Sequence, residues 1–410
     1  MLLIIAIMSG MIGCKSPNEP RIPEAKPIPT IYIYTENAAP IVSKVDYVNA
    51  TFSLNGQGVC ADIKERDLRI RGRGNSTWLM SKKPYRLNFN SAVSLFGLPA
   101  AKNWILLGSY TDPTFLFDPV GFELSRRLDM PWTNNIFFVE VYLNDNYIGL
   151  YQLTEHLKSN VGLTGNDILM ELDNNMDEDF QFYSNLLNIP IMIQNPSSQA
   201  ALDRAKVIWN NIENTLFGPV YENAPEVLDS NSGWRELFDV QSIMQTMLIK
   251  ELLGNAGAIL WGNSFWIQYL SSDGKIHFGP LWDFNDLYAT FVDKPHLITD
   301  LMHFKAPTVP LLERQTPCSK FVLRFFDDPK FVKEYKQYCN SVIGKLNANR
   351  FIDSLVAVIK PYANKNYEIW GDMVLFDGSS YDTKDYAALS SWFKDFYNKR
   401  INAIKNYVKE

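Results

Sequence analysis

A chain of 410 residues with 46% hydrophobic and 13% aromatic content is long enough for a large core, and this composition excludes disorder over most of its length. The net charge of −6 argues against a nucleic-acid scaffold, which carries a basic surplus gathered on one face. Four histidines, His156, His277, His296 and His303, are scattered without Cys/His ligand pairs, so no zinc site is expected.

Met1 to Met11 is almost wholly apolar and ends in Met11-Ile12-Gly13-Cys14, followed by a polar, proline-rich stretch. This pattern resembles a bacterial lipoprotein signal, in which a small residue precedes a cysteine that is lipidated and becomes the mature N-terminus. Residues 1–14 are therefore expected to be a signal peptide ending at lipidated Cys14. The lipid would anchor the chain to a membrane of the cell envelope, on the periplasmic or surface side. No Lys or Arg precedes the apolar run, which departs from such signals. The run is too short for a comfortable span, which takes about 20 residues. Residues 15–29, with five prolines between Ser16 and Pro29, read as a flexible tether. Of the remaining cysteines, Cys318 and Cys339 can pair in an oxidising compartment or stay free in helices, and Cys60 reads as a buried thiol.

Residues 30–155 read as a β-rich N-lobe. Strand patterns cover Ile31 to Tyr34, Tyr47 to Leu54, Leu68 to Ile70, Tyr85 to Phe89 and Trp104 to Leu107. A helix is predicted over Pro113 to Leu128, then strands Phe137 to Leu143 and Tyr147 to Leu153 around the turn Asn144-Asp145-Asn146. Residues 156–410 read as a mainly helical C-lobe, with helices over Ala200–Leu216, Val240–Gly254, Ser319–Phe326, Pro329–Leu346, Ile352–Tyr362 and Ser390–Val408. One hairpin interrupts it, Ser264 to Tyr269 and Lys275 to Phe278, and delivers the chain into Gly279-Pro280-Leu281-Trp282-Asp283-Phe284-Asn285. The fold class is α+β.

The most informative stretch is Arg71 to Phe89, RGRGNSTWLMSKKPYRLNF. Gly72, Gly74, Asn75 and Ser76 permit a turn with converging backbone N–H groups, a favourable anion site, and Lys82, Lys83 and Arg86 add positive charge. Glycine-rich hairpins with a basic strand are also common on surfaces that bind nothing. The spacing is neither a Walker loop nor a dinucleotide fingerprint, but strand, turn, strand with a lysine on the returning strand is the protein-kinase layout. On that layout Lys83 is the first choice for a phosphate contact. Asp283 sits just after a strand, and a carboxylate between Trp282 and Phe284 is an awkward residue to bury without a role.

GRGNSTW at Gly72 to Trp78, KKPYRLNF at Lys82 to Phe89, KNWILL at Lys102 to Leu107, VEVYLNDNYIGLYQLTEHL at Val139 to Leu157 and FGPLWDF at Phe278 to Phe284 together resemble the spore-coat CotH-type kinases, in particular their bacterial lipoprotein members. The resemblance runs from about Pro29 into the C-terminal helices. It implies an atypical protein-kinase-like fold of two lobes, binding ATP and Mg or Mn between them and transferring the γ-phosphate to Ser or Thr of a protein substrate. By position it implies that Gly74, Asn75 and Ser76 cover the phosphates, that Lys83 contacts them with Arg86 as a further candidate, and that Glu155 closes the cleft. Asp283 would hold the metal with Asn263 as second ligand, Asn285 being similar, and Glu123 would orient Lys83 by an ion pair.

Two departures bear on activity. Where the family carries the aspartate of a Gly-Asn-x-Asp segment, the acceptor of the substrate hydroxyl proton, this chain has Gly254-Asn255-Ala256-Gly257. A general base contributes about 10²- to 10⁴-fold, so the catalytic residue is unassigned. Where the family has Arg-Asn after a leucine, the chain has Phe117-Asp118. Three readings follow: a kinase; a pseudokinase-like surface binding or assembly protein with a cell-envelope partner; and a glycan groove lined by Trp261, Trp266 and Trp370. A lipoprotein outside the inner membrane meets little ATP, an objection that cuts across the first two readings and weakens a catalytic claim without touching the fold.

Overall fold

The computed structural model describes residues 27–160, 162–218, 221–255, 264–284, 288–301, 314, 316–375 and 377–409. Strands β1 (Thr30–Thr35), β2 (Val48–Asn55), β3 (Ile63–Gly72), β4 (Tyr85–Val93), β5 (Ala101–Leu107), β6 (Ile136–Leu143) and β7 (Asn146–Glu155) close into a barrel in the order β1-β2-β3-β4-β5-β7-β6. All of these pairings are antiparallel except the closing one, where Thr30–Ile33 run parallel to Glu140–Leu143. The alternation read in the sequence is the cause: Ile31, Ile33, Leu68, Ile70, Leu87 and Phe89 point into the barrel, and Phe52 meets Phe89 edge to face at 5.0 Å. Asn144 and Asp145 both take positive φ, 49° and 62°, the turn that a two-residue hairpin between β6 and β7 needs.

Two short helices interrupt the barrel chain. α1 (Ser76–Leu79) lies in the β3–β4 connection, so the glycine-rich segment is a turn followed by a single helical turn. α2 (Phe117–Arg127) joins β5 to β6 and is buried along most of its length.

The C-terminal region is not simply helical. After α3 (Leu157–Asn160), strands β8 (Ile168–Leu172), β9 (Gln181–Tyr183), β10 (Pro190–Asn195), β11 (Phe265–Leu270) and β12 (Lys275–Phe278) form a second sheet in the order β12-β11-β8-β10-β9. Only the β11–β12 hairpin was legible in the sequence; β8 and β10 are short continuous apolar runs without a period. One sheet face carries Met170, Leu172, Ile191, Phe265 and Ile267 into the core. Directly paired residues share a face, so Glu171, Met192 and Trp266 lie together on the other.

Around the sheet pack α4 (Gln199–Phe217), α5 (Trp234–Leu237), α6 (Val240–Leu252), α7 (Tyr288–Asp293), α8 (Pro317–Leu323), α9 (Pro329–Val342), α10 (Asn349–Trp370) and α11 (Tyr386–Tyr407). A small hairpin, β13 (Asp372–Val374) with β14 (Ser380–Asp382), links α10 to α11. Aspartates stop several helices from fraying: Asp239 caps α6, Asp328 caps α9 and Asp385 caps α11. Cys318 and Cys339 are buried and not joined by a disulfide, the second of the alternatives left open by their spacing, and Cys60 is half-buried. No described helix is long and apolar enough to cross a membrane.

Candidate functional site

Arginines line the outer side of β3. Leu68 and Ile70 face inward, which turns Arg69 and Arg71 outward, and both guanidinium groups stack on the Tyr47 ring at 5.0 and 5.2 Å. Arg71 also donates to the Lys44 and Gly72 carbonyls. Across the ladder Arg71 stands opposite Arg86 of β4. Like charges in register oppose folding, so this pair marks a place where an anion is favoured. Arg86 donates to Asn103 Oδ1 at 3.0 Å, while its buried Nε has no hydrogen-bond partner among the described residues. Just past β3, the Arg73 guanidinium lies over the Trp282 ring, 5.9 Å from its centre.

The facing side is acidic. Ser264 ties two carboxylates together: its hydroxyl donates to Glu171 Oε1 at 2.8 Å and its backbone N–H to Asp173 Oδ2 at 2.9 Å. Gln194 donates to the other Glu171 oxygen at 2.7 Å, and Asn175 holds the other Asp173 oxygen. Burial raises the Glu171 carboxyl to about 8, with the Asp173 charge adding to the effect and the Ser264 bond opposing it. Burial raises Asp173 as well, against the hydrogen bonds it accepts.

Asp283 follows β12 in a left-handed backbone conformation, φ 61°. Its carbonyl accepts from Asn255 Nδ2 at 2.6 Å, and the next N–H, of Phe284, donates to Asp118 Oδ1 at 3.0 Å. Asn255 in turn accepts from the buried Lys250 ammonium at 3.0 Å. Gly121 of α2 allows this approach, since a Cβ there would stand 2.5 Å from the Phe284 ring. Burial raises the Asp283 carboxyl, and the Arg73 and Lys250 cations oppose the rise. Reciprocally, burial lowers the Arg73 guanidinium, while Asp283, Glu171 and Asp118 push it back up. Arg73, Lys250, Asp118, Glu171, Asp173 and Asp283 thus share one electrostatic neighbourhood between barrel and sheet.

The residues expected from the sequence fall differently. Asp283 belongs to this neighbourhood, and Arg86 adjoins it through Arg71. Gly74 takes φ 82° at the turn, Asn75 accepts from Lys44 at 2.8 Å, and Ser76 begins α1. Lys83 precedes β4 instead of lying on it, and its ammonium donates to the Trp78 carbonyl at 2.8 Å, sealing the end of α1. Lys82 is buried, donating to Asn366 Oδ1 at 2.8 Å and the Leu150 carbonyl at 2.5 Å between the Phe115 and Tyr151 rings. Glu123 pairs with Arg127, 2.8 Å away, and so does not orient Lys83. Glu155 accepts from the Asn135 backbone and side chain, both at 2.7 Å, and so pins the loop before β6. Trp370 donates to the Ile148 carbonyl and Trp266 to Ser264, each serving its own packing. Cys14, Gly257, Trp261, Asn263 and Asn285 lie outside the described residues.

The Phe117-Asp118 departure has a structural meaning. Phe117 packs against Phe393 at 4.9 Å and Phe396 at 5.5 Å of α11, so the position serves the core, and Asp118 fixes the segment carrying Asp283.

A family model described as CotH kinase protein matches residues 69–404. The chain belongs to the CotH kinase family. No curated protein matches the chain. CotH membership makes this a kinase-like protein and suggests, for the family in general, use of ATP and a divalent metal.

The described residues alone make up no complete metal site. Among them no group of three or more His, Cys, Asp or Glu side chains is arranged as an ion site. Asp283 feels the Arg73 and Lys250 charges, with Asp118, Glu171 and Asp173 in the same neighbourhood. Sequence reasoning missed Arg73, Lys250, Glu171 and Asp173. Arg73 had a signal, as it belongs to the same RGRG segment as Arg71; the other three had none. Two surface grooves lie elsewhere and include none of these residues: one of about 360 Å³ beside Ile28, Phe138 and Phe351, and one of about 610 Å³ beside Tyr288 and Trp392.

Proposed function

We propose that the chain is a kinase-fold, lipid-anchored envelope protein that binds a nucleotide between barrel and second sheet and acts as a binding or assembly protein, in the manner of a pseudokinase. The barrel with α2 takes the place of a kinase small lobe and the rest that of the large lobe. One observation carries the reading: Arg73, at the start of the glycine-rich turn, lies over the Trp282 ring and shares its electrostatic surroundings with Asp283. That pairs a cation suited to phosphate with the post-strand aspartate by which kinases are recognised. Arg71 and Arg86 extend the basic side, taking the part that Lys83 cannot play while its ammonium seals α1.

Glycine at 257 in place of the family's aspartate argues against efficient transfer. A slow transferase is the second reading, favoured by Glu171, whose carboxyl exchanges a proton near neutral pH in the same neighbourhood. The Gly13-Cys14 signal supports a lipid anchor, and the partner would be an envelope protein.

The test is calorimetric titration of the full chain with ATP. Wild-type binding that weakens at least tenfold in Arg73→Gln supports the nucleotide reading, and absence of wild-type binding removes it. Transfer of radiolabel to a generic Ser/Thr protein, lost in Glu171→Gln, would move the conclusion to the transferase. Labelling with a radioactive fatty acid, compared with Cys14→Ser, decides the anchor.

A further inference from the structure

The described residues begin at the wall of a groove. Pro27, Ile28 and Pro29 line it, together with Phe138 of β6 and Phe351 and Val358 of α10. Its volume is about 360 Å³, a size that suits a small or slender ligand. Ile28 is fixed at this wall, because its backbone N–H donates to the Tyr362 hydroxyl of α10 at 3.0 Å.

The polar side chains at the mouth are few and engaged with protein partners. Arg126 donates to the Asn134 carbonyl at 2.5 Å and to Asn135 Oδ1 at 3.3 Å, and Glu123 accepts from Arg127 at 2.8 Å. A sugar or a nucleotide needs convergent polar groups, whereas this groove offers apolar contact. Phe351, Leu355 and Val358 are half-buried, so part of their surface meets water when nothing covers them.

The sequence places an apolar group within reach. Residues 15–26 separate Pro27 from Cys14, the expected point of lipid attachment. A connector of that length spans up to about 40 Å when extended, ample to return the lipid to the groove. Transfer of a hydrocarbon chain from a bilayer to the groove exchanges one apolar surrounding for another, while the walls of the groove leave water. The gain comes from the walls.

We propose that one acyl chain of the Cys14 lipid folds back into this groove. The inference rests on the lipid-anchor part of the reading above and gives it a consequence. Stable anchoring takes more than one inserted chain, so a lipid with a chain withdrawn holds the membrane less tightly. Attachment is then adjustable, firmer when the chain leaves the groove and looser when it returns.

The experiment feeds cells producing the full chain a palmitic acid analogue that carries an alkyne and a photoreactive diazirine. Their membranes are irradiated and crosslinked peptides are located by mass spectrometry. The expected result is crosslinking to residues 136–138 or 351–358, lost in Cys14→Ser and reduced at least fivefold in Val358→Glu and Leu355→Glu. Label on Cys14 and a circular dichroism melt verify that these two groove variants are lipidated and folded. Label on wild-type Cys14 with crosslinks only to membrane lipid would overturn the groove inference and leave the lipid anchor standing. Groove crosslinks that persist in Cys14→Ser would also overturn it, since the occupant would be a free fatty acid. No label that depends on Cys14 would overturn both the anchor and the inference.

Discussion

The barrel and the C-terminal region are stabilised by different devices. The barrel interior is apolar: Ile31, Ile33, Leu68, Ile70, Leu87 and Leu153 fill it, and the closed ladder satisfies the strands' own N–H and C=O groups. The C-terminal region has long connections whose carbonyls no ladder reaches, and buried arginines reach them instead. Arg400 of α11 donates to the carbonyls of Glu251, Ile298 and Asp300 and pairs with the Glu251 carboxylate at 2.5 Å. Arg324 does the same for the carbonyls of Leu216, Pro225 and Glu226. A region built from loops thus depends on a few charged side chains, each serving several backbone groups, whereas the barrel spreads its stability over many equivalent contacts.

The largest expected effect follows from that contrast. Arg400→Met takes the Arg400 ion pair from the buried Glu251 and strips several carbonyls of donors, so unfolding free energy should fall by about 3–5 kcal/mol. Urea denaturation checks this, and a loss under 1 kcal/mol would break the contrast. In the barrel, Leu87→Ala removes a fully buried side chain with no polar consequence and should cost about 2–4 kcal/mol by the same method. Equal or larger loss than for Arg400→Met would mean that the barrel is the more fragile of the two.

A smaller effect concerns pH. Glu171 has a folded pKa of about 8 against an ordinary 4.5, so between those values the folded state holds the extra proton. Stability therefore falls as pH rises through that window. Melting temperatures measured from pH 5 to 8.5 should decline more steeply for wild type than for Glu171→Gln, and parallel curves would show that the carboxyl is ionised in the folded protein. The smallest effect is at Lys83. Because its ammonium only seals α1, Lys83→Gln should lower stability by about 1 kcal/mol or less and change ATP affinity less than threefold. A tenfold loss of affinity would return Lys83 to the phosphate site.

Most barrel strands were legible because one face of each is buried, which imposes a period of two. Closure was not, since β1 and β6 meet over more than a hundred residues of sequence and in parallel. The second sheet was half legible: the β11–β12 hairpin carries a turn signal, while ILMEL of β8 and PIMIQN of β10 read equally as buried helix or strand. At the site, Asp283 was legible from its place after a strand between aromatics. Lys83 was misplaced because β4 starts at Tyr85, beyond Pro84, and this leaves the lysine in the connection. Glu171 read as one more residue of an apolar run, and only its pairing with Trp266 and its bond to Ser264 reveal which way it faces.

The parallel closure of the barrel also has a mechanical side. β1 is bonded to β2 over the six residues Thr30–Thr35 and to β6 over Thr30–Ile33, so the strand is gripped on both flanks. A force entering β1 from its N-terminal end and running down the strand would load both ladders together, in shear, and not peel them one bond at a time. The first strand would act as an anchor bolt under such a load, and rupture would have to begin with the barrel as a whole.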